Sequence, residues 1–144
     1  KTCILMESQK FNIYKVGGVF IRDKKLLVTR SKEKDFFIAP GGKVEKGESP
    51  VEALQRELQE EISIVVEESN LESFGTFYAP AAGDEKNVLR MDVYRVLDWN
   101  GEIEPGAEIE EVRWVDSTSL KTMRIGSVFA HHVIPKLKER DLII

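Results

Sequence analysis

Glu57, Glu60 and Glu61 place three carboxylates close together on a predicted helix, because residues three and four apart share a helical face. Like charges at that spacing repel, and only Arg56 with Glu60 follows the alternation that a stabilised surface helix uses. Hard oxygen ligands clustered in this way suit Mg²⁺ or Mn²⁺, which take carboxylates, water and phosphate oxygens. A bare glutamate triplet is more commonly a solvated face. The residues before the helix change that balance. Pro40-Gly41-Gly42 reads as a side-chain-free turn, where a main-chain carbonyl can approach a metal closely. Gly47-Glu48 adds a second turn and a fourth carboxylate beside the helix start.

The positioning elements follow from pattern. Ser49-Pro50-Val51-Glu52 is a capping box with proline at the first helical position, and the helix is predicted to run to about Ile62. Val51, Leu54, Leu58 and Ile62 form its apolar stripe. Ala53, one turn before Glu57, is expected on the acidic face, leaving room for a ligand. Strands are predicted at Tyr14–Ile21, Lys25–Thr29, Leu71–Tyr78, Val88–Leu97 and Glu111–Val115, with a polar turn at Arg22-Asp23-Lys24 and a loop over Pro80–Asn87. A last helix is expected over Ser127–Arg140, kinked or divided at Pro135. Mixed strands and helices in one short chain imply an α/β (α+β) protein with helices packed on a mixed sheet.

Gly42, five residues, Glu48, seven residues and then Arg56-Glu57-Leu58-Gln59-Glu60-Glu61 resembles the Nudix box of the Nudix hydrolase superfamily, G-x5-E-x7-R-E-U-x-E-E-x-G-U with U a bulky apolar residue. Leu58 and Ile64 match the U positions, while Ser63 stands where the family usually has Gly and puts the end of the helix in doubt. The resemblance implies an α/β/α sandwich whose box forms a loop-helix-loop. It implies that Glu57, Glu60, Glu61 and the Gly42 carbonyl hold a divalent metal, Mg²⁺ or else Mn²⁺. Arg56 would orient Glu57, and Glu48 would be a structural carboxylate. Glu57, Glu60, Arg56 and Glu108 are thus the candidate catalytic residues. Glu108 resembles a late-loop base of MutT-like members, with Glu110 and Glu111 as rivals. Arg30, Gly41 and Gly42 are the candidate substrate contacts.

Composition narrows the class. The 144 residues fit one domain, read here as residues 1–144. A net charge of −4 argues against a grip on polymeric nucleic acid, which needs clustered Lys and Arg. Cys3 is the only cysteine, so no internal disulfide forms, and a cytoplasmic setting is expected. No apolar run is long enough to cross a membrane, and Lys1 to Lys10 lack a secretory h-region. The expected partner is a small nucleotide, and a homodimer is compatible with the resemblance. The run Phe37 to Glu45 looks most like MutT-type enzymes acting on nucleoside triphosphates, oxidised ones included. ADP-ribose is the alternative, supported by Pro80 sixteen residues after Ile64. A Nudix-fold sensor that binds without hydrolysis is the rival of another class. His131 and His132, adjacent in the last helix, point in different directions and read as helix surface or packing. Phe36, Phe37 and Tyr78 read as core before base-stacking platforms.

Overall fold

A computed structural model describes residues 10–81 and 84–144; Cys3, the start of the chain and Ala82 lie outside them. Strand β1 (Ile13–Val19) lies centrally in a four-stranded mixed sheet. It pairs antiparallel with β4 (Gly41–Lys43) and parallel with β6 (Asp84–Val96), which in turn pairs antiparallel with β5 (Leu71–Ala81). A second, three-stranded sheet runs β2 (Ile21–Arg22), β3 (Lys25–Ser31), β7 (Ile109–Val115). The chain crosses from one sheet to the other at Phe20, between β1 and β2. Asp23 and Lys24 both have positive φ, the two-residue turn geometry whose twist suits a hairpin. Arg22 therefore belongs to a strand rather than to the turn.

Helix α1 (Pro50–Ile62) starts where the capping box predicts, with Ser49 Oγ accepting from the Glu52 N–H at 3.1 Å and Glu52 Oε1 accepting from the Ser49 N–H at 2.9 Å. Leu54, Leu58 and Ile62 are fully buried against Val16, Phe20, Leu27 and Val96. Each such side chain contributes about 1.5–3 kcal/mol through burial. Ala53 is also fully buried in this cluster. It faces the sheet and not the acidic side of the helix, which corrects the expectation above. On the opposite side, Val128, Phe129, Val133 and Leu137 pack with Val28, Phe77 and Val93. Helices therefore cover both faces, giving the α/β/α sandwich. A short helix α2 (Ser117–Leu120) follows β7.

The last helix runs on through Pro135 rather than ending there, and its winding changes in the turn just before it. Residues Phe129–Val133 form a π turn, with the Ile134 N–H bonded to Phe129 O, and α3 (Ile134–Glu139) continues from it. Proline cannot donate to the carbonyl four residues earlier, and the wider turn re-registers the ladder around that missing donor. Pro80 and Ala81, expected within a loop over Pro80–Asn87, instead extend the β5–β6 ladder through the pairs Pro80↔Val88 and Ala81↔Asp84. Cross-strand pairing here outweighs the weak strand preference of Pro and Ala. No helix among the described residues is long and apolar enough to cross a membrane.

Ser63 ends α1 in the left-handed region, at φ 65° and ψ 29°. This is where glycine would be unstrained, at a saving of about 1 kcal/mol or slightly more. Ser63 Oγ donates to Glu104 O at 3.1 Å, an interaction worth about 0.5–1.5 kcal/mol that offsets much of the strain. Ser63→Gly is therefore expected to change stability by less than about 1 kcal/mol, whereas Ser63→Val should cost about 2 kcal/mol, because it keeps the strain and loses the bond. Urea midpoints of the two variants check this; a neutral Ser63→Val would refute the account.

Candidate functional site

Gly41 and Gly42 form a strand rather than a free turn, with Gly41 opposite Gly17 and Gly42 opposite Val16. A side chain on Gly41 would collide with backbone, and one on Gly42 would displace the Glu57 carboxylate. A Cβ on Gly41 would stand 2.1 Å from Val16 O, and one on Gly42 would stand 2.4 Å from Glu57 Oε2. The bare backbone at Gly42 thus lets the Glu57 carboxylate lie directly against β4. Glu61 completes the contact by accepting from the Gly41 N–H at 3.0 Å.

Arg56 gathers the other box carboxylates. Its Nε and Nη2 donate to both oxygens of Glu48, at 2.7 and 2.9 Å, the bidentate geometry that a planar guanidinium favours. Nη1 donates to Glu57 Oε2 and to Glu60 Oε1, each at 3.1 Å, and Nη2 also reaches Lys43 O at 3.0 Å. The Arg56 guanidinium beside it holds Glu48 well below the usual carboxylate range, at about 2. Burial pushes Glu57 up, against the opposing pull of Arg56. Glu61 is pushed up to about 7, first by burial and then by the charges of Glu57, Glu60 and Glu108, while the Gly41 N–H works the other way. Such an accumulation of poorly solvated negative charge is what a cation or a proton relieves.

The loop from Gly101 to Glu108 is pinned to the end of α1. The Glu104 N–H donates to Ile62 O at 3.1 Å and the Gly106 N–H to Glu61 O at 2.7 Å, satisfying carbonyls that a helix end leaves unpaired. Glu108 O accepts from the Lys32 N–H at 2.9 Å, which fixes the loop's far end. The exposed Glu108 carboxylate is near enough for its charge to act on Glu61. Gly106, passed over in the sequence, is needed here: a Cβ on it would stand 2.0 Å from Glu60 O. A lone glycine in a loop carries no signal of such an approach.

The other candidates lie apart from the carboxylates. Arg30 Nε meets Glu111 Oε1 at 3.4 Å, Nη1 donates to Lys34 O at 3.1 Å, and the guanidinium lies 6.0 Å from the Phe37 ring centre. Glu111 also meets Arg113 at 3.5 Å, and Glu110 is exposed. His132 stacks on Phe77 at 5.6 Å, and Phe37 is buried. Phe36 lines a cavity of about 390 Å³ that reaches Gly41, Gly42 and Lys15. Lys15 was also missed in the sequence. Its alternation within an apolar strand, one residue out of phase with the buried Val16, was the available signal.

The donor chemistry fits a hard divalent cation: carboxylate oxygens desolvated against a backbone that only glycine allows to approach. Among the described residues no three acidic or histidine side chains yet converge on one point. Arg56 Nη1, bonded to both Glu57 and Glu60, draws them to itself. Binding would require those two to turn away from the guanidinium.

The donor set suits a cation that carries a polyanion, and similarity to known proteins places the chain in a family. Residues 13–136 match the NUDIX domain family, and the chain belongs to it. Nudix hydrolases act on phosphorus-containing acid anhydrides and generally use divalent metal ions. An 8-oxo-dGTP diphosphatase of Haemophilus influenzae is 40% identical over 82 residues, covering 56% of this chain and 55% of that relative. The chain thus aligns with little more than half of that protein's length. An ADP-ribose pyrophosphatase of Methanocaldococcus jannaschii is 30% identical over 125 residues, covering 84% and 69%. A solved MutT structure, from work on the Aliivibrio salmonicida and Vibrio cholerae proteins, superposes with a TM-score of 0.69 at 27% identity, covering 89% of this chain and 98% of that one.

Proposed function

We propose that this chain is a Mg²⁺-dependent pyrophosphohydrolase that converts a nucleoside triphosphate to the monophosphate and pyrophosphate, with Mn²⁺ able to substitute. The observation that carries this is the meeting, at Gly41-Gly42, of the carboxylate cluster with one mostly apolar cavity of about 390 Å³, room for a single nucleoside. Its phosphate tail would lie across Glu57, Glu60 and Glu61. The relative named an 8-oxo-dGTP diphosphatase supports a triphosphate, and the relative named an ADP-ribose pyrophosphatase supports ADP-ribose as the second reading.

Glu57, Glu60, Glu61 and the Gly42 carbonyl would hold the metal. Once bound, it would offset the polyanion's charge and make water easier to ionise. Glu108 accepts the proton of the attacking water, from a pinned loop that faces Glu61. Arg56, anchored by Glu48, sets the rotamers of Glu57 and Glu60 as the cation arrives. Gly41 and Gly42 let the phosphates approach the backbone, and Arg30 assists by holding the loop after β3 through Lys34 O. The reading takes the chain as one catalytic domain working on the reducing cytoplasm's nucleotide pool.

The test is a panel of nucleoside triphosphates and ADP-ribose, assayed with and without Mg²⁺, with the products identified. Monophosphate plus pyrophosphate, formed only with the metal, is expected. AMP plus a sugar phosphate would establish the second reading. Tight nucleotide binding without turnover would mean a sensor.

A further inference from the structure

The cavity beside Gly42 has an uneven wall. Its floor is apolar, formed in part by Ile13, Ile38, Met91, Val128 and Phe129. Among the described residues its polar side chains are those of Lys15, Lys43 and Ser127, with no Asn, Gln, Asp, Glu, Arg or His among the lining groups. A base edge is read by paired donors and acceptors of the kind that amide and carboxylate side chains supply. The side chains of this floor offer shape rather than paired donors and acceptors.

The mouth is different. Lys15 and Lys43 stand directly opposite one another in the β1–β4 register, and among the described residues neither makes an ion pair. Burial draws the Lys15 ammonium below its usual range and the charge of Lys43 adds to that, while Glu57 and Glu61 oppose it. Two lysines held face to face, one of them partly buried, are suited to an anion between them.

We propose that Lys15, with Lys43, grips the phosphate next to the sugar while the floor accepts the base without reading its edge, so that normal and oxidised nucleoside triphosphates are hydrolysed with little discrimination. The proposal rests on the triphosphate reading above. An apolar pocket separates ligands that differ by one polar group by no more than about 10²-fold, whereas a site built to hydrogen-bond that group separates them by about 10⁴–10⁵-fold. The structure assigns this protein to the first kind, whatever base its relatives are named for.

The experiment measures kcat and KM for dGTP, 8-oxo-dGTP, dATP and dCTP with Mg²⁺, for the wild type and for Lys15→Met, which keeps the side chain's length and removes its charge. Wild-type kcat/KM values for dGTP and 8-oxo-dGTP are expected within about tenfold of each other. Lys15→Met should raise KM by about 10–100-fold for every substrate, the loss of one charged hydrogen bond, with kcat changed far less. A preference for 8-oxo-dGTP above about 10²-fold, or an unchanged KM in Lys15→Met, would overturn the proposal and leave the triphosphate reading standing. Turnover of ADP-ribose alone would overturn both.

Discussion

Glu61→Gln is expected to lower kcat by on the order of 10²–10³-fold and, in metal-free protein at pH 8, to raise the melting temperature. The two effects share one cause. Glu61 lies against the Gly41 N–H in poorly solvated surroundings, and Glu57, Glu60 and Glu108 add negative charge. Its folded-state pKa of about 7 lies above its ordinary value of 4.5. The folded protein therefore binds this proton more tightly than the unfolded chain does. As pH rises from about 4.5 to 7, the unfolded chain gives up its proton first and folding loses stability, by at most about 3 kcal/mol. Above pH 7 the loss is complete. Burial raises Glu57 as well, in the same direction.

Metal-free wild type should accordingly melt several degrees lower at pH 8 than at pH 5, by about 5–10 °C for a chain of this size. Glu61→Gln should flatten that slope, because the amide keeps the hydrogen bond to Gly41 and never ionises. Adding Mg²⁺ should recover more stability at pH 8 than at pH 5 in the wild type, and little in the variant. Calorimetry across that range, in chelator and then with the metal, checks each part. A pH-independent wild-type melting point would show that the carboxylate crowding is relieved by solvent alone.

Gly106→Ala carries the second large effect. The new methyl would stand 2.0 Å from Glu60 O, a backbone atom with little freedom to move. Either α1 or the loop must shift, and the bond from the Gly106 N–H to Glu61 O at 2.7 Å goes with it. The stability cost is expected at about 1–3 kcal/mol. The kinetic cost is larger, because the loop carries Glu108 toward Glu61, and a displacement of about 1 Å in such geometry costs about 10²-fold. Rates should be taken where melting curves show the variant folded. In a Glu108→Gln background the same substitution should cost far less in kcat, since the group it misplaces is already disabled. Equal losses in both backgrounds would mean that Gly106 acts through α1 alone.

Several elements were legible before the structure because their causes are local. The capping box at Ser49 and the stripe of Leu54, Leu58 and Ile62 fixed α1 and its buried face. The spacing of Arg56, Glu57, Glu60 and Glu61 put four charged groups on one side of it. The Gly42-to-Ile64 pattern identified the family. The polar stretch Arg22-Asp23-Lys24 after Ile21 announced the hairpin, though not its boundary, since Arg22 pairs with Lys25.

What the sequence could not decide depends on partners distant along the chain. Gly41 and Gly42 look like a turn until β1 offers them a ladder. Ala53 looks open until the sheet closes over it. Pro135 looks like a break until the π turn re-registers the helix around it. Gly106 has no signature at all, because its requirement comes from the carbonyls of α1, far back in the sequence. Lys15 likewise gains its significance only when Lys43 arrives opposite it at the mouth of the cavity. Propensity, capping and spacing act within a few residues and were fixed by the sequence alone. Close approach, desolvation and the crowding of like charge act through space, so only the folded chain determined them.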